Sequence, residues 1–520
     1  MIWNARNAQC LQDRYIWSPF YNCDRLTDFI FGEEVEHIPD YLCYQLTSLK
    51  KLVIGNSVTT IGERAFSSCT GLTEVTIPNS VTTIGNWAFS YCTGLTEVTI
   101  PNSVTTIGTS AFEGCTGLQK VIWNARNAEY YDGISNKSLF PNCDQLTDFV
   151  FGEEVEHIPA HLCSELTSLK NIVIGNSVKS IGDFAFYNCK SLTTVTIPNS
   201  VTEIGAWAFY GCSGLTTVTI PNSVTSIGSS AFEYCRSLTT VTIPNAVTRI
   251  MDSTFSGCTG LTAVTIGNSV KSIGHSAFWD CRSLTTVTIP NSVTKIKDNA
   301  FTGCTQMESV TIGEKVESIG QVAFSHCDNL TAVISKAMTP PEIWEETFED
   351  YAMTLHVPAG RKSKYAEAKY WRNFTDIRET TLYKVTANAT DETMGYVTGA
   401  GEYPQGSTAT LVAVPFGQNY FVRWNDGNTD NPRTITVTGD MTFTAEFAPA
   451  GSAVETLENG ERGIYATGRT LHVENGGESY RVYTTAGRLV YTGNDSSVTL
   501  SAPGMYIVRT SDRSQKVAVK

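Results

Sequence analysis

The stretch Leu192–Gly214 reads LTTVTIPNSVTEIGAWAFYGCSG, and the 23 residues from Leu215 read LTTVTIPNSVTSIGSSAFEYCRS. Units of this kind start at Leu26 and recur every 23 residues as far as Leu330, apart from one step of 28 after Leu118. A partial unit precedes Leu26. A longer period of 120 sets Ile2–Cys92 beside Ile122–Cys212, so a block of five units reads as duplicated. In the copy at Leu192 the apolar slots are Leu192, Val195, Ile197, Val201, Ile204, Ala208, Phe209 and Cys212. Val195 and Ile197 alternate with Thr194 and Thr196, the period of a strand with one buried face. Pro198 and Asn199 turn the chain, and Val201 to Gly205 forms a second short extended segment. One unit cannot bury its own apolar face. Stacked units can, with like strands bonded into parallel sheets. The pattern predicts a mainly β solenoid with little helix, about 65 Å long for fourteen rungs spaced about 4.8 Å apart.

The recurring cysteine needs an explanation. Twelve of the fifteen cysteines fill one slot, Cys69, Cys92, Cys189, Cys212 and Cys235 among them. In two units that slot holds Leu46 or Leu166, and the neighbouring phenylalanine slot then holds Cys43 or Cys163. Exchanging a large–small pair for a small–large pair suits packing, where total volume must fit. It suits neither a nucleophile nor a metal ligand. Rung-to-rung disulfides are the alternative, although parallel side chains in one ladder point the same way. There is no CxxC and no zinc-type spacing.

The net charge of −14 over 520 residues argues against nucleic-acid binding. There is no apolar run long enough for a transmembrane helix. MIWNARNA at Met1 matches VIWNARNA at Val121, so the chain is expected to start inside a repeat, with an earlier N-terminus and any export signal removed. Enzyme constellations are missing too, with neither HExxH nor a GxSxG set between strand and helix. His37 and His157 fill one duplicated slot, and the pairs Glu33/Glu34 and Glu153/Glu154 fall in repeat turns. We expect no enzyme, no catalytic or metal residues and no cofactor.

The consensus L..VTIPNSVT.IG..AF..C resembles the BspA-like, or Treponema pallidum-type, leucine-rich repeat from Ile2 to Phe348. Thr339 to Glu379, beginning TPPEIWEETFEDY, is similar to the terminal cap of such proteins, and Lys362 to Trp371 suits a short covering helix. Leu382 to Phe447 resembles the divergent InlB B-repeat through F.RW.DG (Phe421, Arg423, Trp424, Asp426, Gly427), with Trp424 read as core. The last segment is similar to a type IX secretion C-terminal sorting domain, through VYTTAGRLV, APGMYIVR and KVAVK. The expected fold is therefore a leucine-rich-repeat solenoid followed by two small all-β domains. The expected division is 1–379 solenoid (cap about 336–379), 380–448 B-repeat-like module, 449–462 linker and 463–520 sorting-type β-sandwich. The resemblances imply an extracellular or cell-surface bacterial protein of adhesin type. Its partners would be host or bacterial surface proteins, and export machinery would read the C-terminal domain. A structural spacer and a glycan-binding surface protein are the alternatives.

Two candidate binding surfaces follow. The solvent side of the first strand carries Glu74 and Thr76, Glu97 and Thr99, Lys120 and Ile122, Asp148 and Val150, Asn171 and Val173, then the threonine pairs Thr194/Thr196, Thr217/Thr219, Thr240/Thr242 and Thr286/Thr288. The mixed part is the better candidate. The second surface flanks the Phe–Cys segment, where Trp87 and Tyr91, Phe184 and Tyr187, Trp207 and Tyr210, and Trp279 replace serine, glycine or asparagine. Exposed aromatics are common in binding hot spots, although shielding of the core is the simpler role. The five-residue expansion adds a loop with Tyr130 and Tyr131.

Overall fold

The computed structural model describes residues 1–4, 18–126, 128–130, 138–416, 419–449, 464–467, 470–473, 480–484, 489–500, 504–509 and 514–519. The chain divides into two compact units, Met1–Thr381 and Leu382–Lys520.

Within the first unit each coil supplies two strands. Thr194–Thr196 pairs in parallel with Thr217–Thr219, Thr194 facing Thr217. Glu203–Ile204 pairs in parallel with Ser226–Ile227. Because the register equals the repeat, identical residues meet their own copies along the stack. The first row runs unbroken through eight strands, from Ile2–Trp3 to Asn171–Val173, and resumes at Thr194–Thr196. The third side of the coil is a turn, and it too is bonded coil to coil. Phe186 N donates to the Ala208 carbonyl and Phe209 N to that of Ala231, both at 2.8 Å. Gly205 closes the second strand because a Cβ there would lie 2.6 Å from the Asp183 amide nitrogen. The coils approach that closely only over a residue without a side chain.

Inside, the phenylalanine slot builds a column of rings. Phe186, Phe209, Phe232, Phe255, Phe278, Phe301, Phe324 and Phe348 stack with centroids 5.1 to 5.5 Å apart. Phe66, Phe89, Phe112 and Phe140 form a second such run. Where Cys163 replaces the ring, Phe149 and Phe151 from the strand of the same coil fill the gap. Phe149 meets Phe140 edge-on at 5.8 Å, and Phe151 meets Phe186 at 6.1 Å. Phe29 and Phe31 repeat the device beside Cys43, reaching Phe20 at 5.3 Å and Phe66 at 6.0 Å. The exchange read from Cys43 and Leu46 is thus only half of the compensation.

At the C-terminal end the sheet continues. Ala332–Ser335 pairs in parallel with Thr354–Pro358, which pairs with Asp376–Thr380. A helix at Lys362–Glu367 and a 3-10 turn at Trp371–Asn373 lie between these strands. Trp371 and Phe374 meet the last stacked ring, Phe348, at 60° and 75°. The column therefore ends under edge-on rings rather than in water. Tyr365 is buried and its hydroxyl donates to the Ala337 carbonyl at 2.9 Å.

In the second unit, Leu382–Ala389 lies between Gly401–Pro404 and Met441–Ala448, and Tyr420–Trp424 completes that sheet. A second sheet holds Gly395–Thr398, Thr408–Pro415 and Arg433–Thr436. Trp424 is buried between Phe421 and Phe443 and donates Nε1–H to the Asp430 carbonyl at 2.8 Å, so it is a core residue. A separate core of Leu471, Val473, Tyr480, Val482, Leu500, Tyr506 and Val508 serves the antiparallel strands from Ile464 onward. Residues 450–463, which carry most of the expected linker, lie outside the described residues.

Candidate functional site

The cysteines are settled by geometry. All fourteen described cysteines are free thiols, and every one but Cys23 is buried. Each repeat thiol donates to the carbonyl of the phenylalanine slot one coil back: Cys212 to Phe186 at 3.1 Å, Cys92 to Phe66 at 3.2 Å, Cys235 to Phe209 at 3.2 Å. The bond survives the exchange, because Cys189 donates to Cys163 and Cys69 to Cys43, both at 3.1 Å. Burial pushes the thiols of Cys92, Cys212 and Cys258 up to about 12. A thiol held neutral is no nucleophile. Here it is a small apolar filler with one donor.

The strand-face candidates lie along one ladder. Glu74, Thr76, Glu97 and Asn171 are exposed, and Lys120 and Asp148 are half-buried. Neighbours in the ladder pair with one another. Lys120 Nζ lies 3.1 Å from Glu97 Oε2, and Asn171 Nδ2 donates to Asp148 Oδ1 at 2.9 Å. Hydrogen bonds from Thr147 and Asn171 hold the Asp148 carboxyl below its ordinary value. Beside this charged file runs an apolar one. Ile122 and Val150 are half-buried, and Val173 is 55% exposed.

The aromatic candidates lie elsewhere in the coil, on a ledge with left-handed backbone. Trp87, Tyr91, Phe184 and Trp207 have φ of 52°, 56°, 57° and 53°. Bulky residues rarely adopt this conformation, and it accounts for the serine, asparagine and glycine in the same slots of other coils. Tyr91 and Tyr210 do not share a slot as the sequence reading had them. Tyr91 stands directly before Cys92, whereas Tyr210 precedes Gly211, which holds that left-handed place at φ 69°. The rings pack on one another. Phe184 stacks on His161 at 4.6 Å and on Trp207 at 4.9 Å, and Tyr187 stacks on Tyr210 at 4.8 Å. In the duplicated block Arg64 takes the middle place, its guanidinium carbon 5.6 Å from the Tyr41 ring centroid and 4.6 Å from that of Trp87. Tyr91 covers Gly114, where a Cβ would lie 2.6 Å from the ring, and is 48% exposed. Both faces of the Phe184 ring are thus spent within the ladder, as is one face each of Trp87 and Trp207. Tyr130 ends the two-residue strand Glu129–Tyr130. Tyr131 lies outside the described residues.

Some structural roles escaped the sequence reading. Asp40, Asp183 and Asp252 accept the backbone N–H of Glu63, Ala206 and His275 in the next coil at 2.7, 2.7 and 2.8 Å. Thr202 and Thr225 donate to the Lys179 and Thr202 carbonyls, both at 3.2 Å. A short polar side chain just after the glycine slot, which Pro39 and Met251 fill before Asp40 and Asp252, and threonine before the second strand were the available signals. Glu153 and Glu154 line a polar recess with Asn79, Asn102 and Asn124, and Glu154 accepts from Asn102 Nδ2 at 3.0 Å.

Stacked parallel strands in 23-residue coils, with a leucine opening almost every coil, define a leucine-rich repeat solenoid. The profile of the BspA type leucine rich repeat region matches residues 18–134, 133–262 and 225–354, with six copies. The chain belongs to that family. A leucine-rich repeat protein from Bacteroides ovatus ATCC 8483 is 28% identical, with 70% of this chain and 86% of that one covered and a TM-score of 0.51. A leucine rich cell surface protein from Faecalibacterium prausnitzii A2-165 is 29% identical, with 54% and 83% covered and a TM-score of 0.33. The T. pallidum leucine rich repeat protein is 24% identical, with 41% and 77% covered and a TM-score of 0.25. No curated protein matches. Among the described residues no helix is long and apolar enough to cross a membrane.

Proposed function

We propose that this chain is a non-enzymatic, adhesin-like binding protein of the bacterial surface or its surroundings, and that its solenoid recognises another protein through the solvent side of the first strand row. The observation that carries the reading is the apolar file Ile122, Val150 and Val173 lying beside Glu97, Lys120, Asp148 and Asn171. An apolar centre with a charged border is the anatomy of a protein interface. In most later coils the same file is threonine, so the apolar residues are not needed for stacking. The C-terminal segment's resemblance to a sorting domain supports delivery to the cell surface or the medium. The stacked ledge supports a sugar platform poorly, because such a platform needs a free ring face.

The test is a binding screen of the full chain against host matrix and bacterial surface proteins. A double variant, Lys120→Glu with Val173→Asp, should weaken capture by about 2 kcal/mol or more, as truncating a hot spot does. Its melting temperature should fall only slightly, because Lys120→Glu also replaces the exposed pair with Glu97 by a like-charge neighbour. Loss of binding in Trp87→Ala with Tyr91→Ala, but not in that variant, would move the site to the ledge.

A further inference from the structure

The cap holds a cleft that the solenoid reading leaves without a use. It has a volume of about 360 Å³ and lies between residues 340–344 and 368–371. Trp344 stands on its wall, 52% exposed, and stacks on no ring among the described residues, unlike Phe184 or Trp207. Tyr370 lines the cleft from the position just before the 3-10 turn, with φ 65° and ψ −34°. Buried Trp371 is anchored below by its Nε1–H, which donates to the Pro341 carbonyl at 2.7 Å.

We propose that this cleft binds the terminal pyranose of a neutral glycan, its C–H face laid on the free indole of Trp344. Three features select that class. First, the backbone of the walls is already used. Glu342 N donates to the Glu317 carbonyl at 2.8 Å, the Glu342 carbonyl accepts from Ile319 N at 2.9 Å, and Trp344 N donates to Thr347 Oγ1 at 2.8 Å. The Lys369 and Tyr370 carbonyls accept from Trp371 and Asn373 at 2.9 and 3.0 Å. A peptide would find few main-chain partners here. Second, the side chains left at the rim are one carboxylate, Glu342, and one ammonium, Lys369, whose Nζ lies 4.7 Å from the Tyr370 ring centroid. A charged ligand would gain from one and lose to the other. A hydroxyl donates to the carboxylate and accepts from the ammonium. Third, aromatic walls with a few polar groups are what an amphipathic ligand of this size needs.

This site stands apart from the strand face, so either can fail without the other. The test titrates the full chain with methyl glycosides of glucose, galactose, mannose and N-acetylglucosamine, read by calorimetry and saturation-transfer NMR. We expect saturable binding of at least one glycoside, with Kd on the order of 1 mM. Trp344→Ala should weaken it at least about tenfold, Trp344→Tyr should keep most of it, and Glu342→Gln should weaken it less. Melting curves should be unchanged in all three. Binding that survives Trp344→Ala overturns the proposal, as does the lack of saturable binding by every glycoside.

Discussion

At the scale of single residues, the repeat cysteine is chosen for two properties at once. It is small enough to sit beside the phenylalanine column, and it carries a donor for a carbonyl in the coil before. Cys212→Ala removes both the sulfur and the bond to Phe186, so it should cost about 1–2 kcal/mol in chemical denaturation. Cys212→Ser keeps a donor within reach of that carbonyl and should cost less, so a serine variant weaker than the alanine one would refute the hydrogen-bond role. The thiols also set a pH limit. Burial raises them from the ordinary 9.0 to about 12 for Cys92, Cys212 and Cys258. Below 9 both states keep the proton and stability is unaffected. Between 9 and 12 only the unfolded chain gives up the proton, so the thiols' contribution to stability falls as pH rises. At pH 8 the thirteen buried thiols of the native protein should resist alkylation, while the denatured chain should react at every described cysteine.

At the scale of elements, the gaps in the ring column show what a linear reading finds and what it misses. Strand, turn and buried slot recur every 23 residues, so the coil was legible from Leu192–Gly214 alone. The exchange of Cys43 with Leu46 was legible too, because both lie in aligned slots. The ring that fills the vacated space was not, because Phe31 comes from the other side of the coil. Packing across the coil leaves no mark in spacing. For the same reason the left-handed ledge was hidden, although serine, asparagine and glycine in the aromatic slots were its signal. The cap strands Thr354–Pro358 and Asp376–Thr380 lack the VTIPNS consensus and follow only from their pairing. The column predicts a compensation. Cys43→Phe alone should overpack the site and cost about 1–3 kcal/mol. Adding Phe31→Ile, the residue type most coils hold there, should recover much of that loss, which a double-mutant cycle measures. Additive losses would mean that Phe31 does not occupy the vacated space.

At the scale of the whole solenoid, stability is a sum of coils and of the contacts between neighbours. The ends then matter out of proportion to their size. Removing residues 336–379 would uncover Phe324 and the last strand edge at Ala332–Ser335, and exposed strand edges invite association. The truncated chain should form concentration-dependent oligomers in light scattering, whereas the full chain should not do so through this end. Charge reversal on the strand face acts on another scale altogether and should leave oligomeric state untouched.

The coil-to-coil backbone bonds of the solenoid, from the paired strands to the Phe186–Ala208 contact, join each coil to its neighbour along the stack. Under tension applied along that axis the coil-to-coil contacts stand in series, so each carries the whole load and they give way one at a time. The solenoid should therefore peel, and each released coil of 23 residues should lengthen the tether by roughly 75 Å, its extended span less its place in the stack. In a force–extension trace that would appear as a train of small, evenly spaced drops. A molecule built this way yields gradually to a pull and can wind back, coil upon coil, when the load is released.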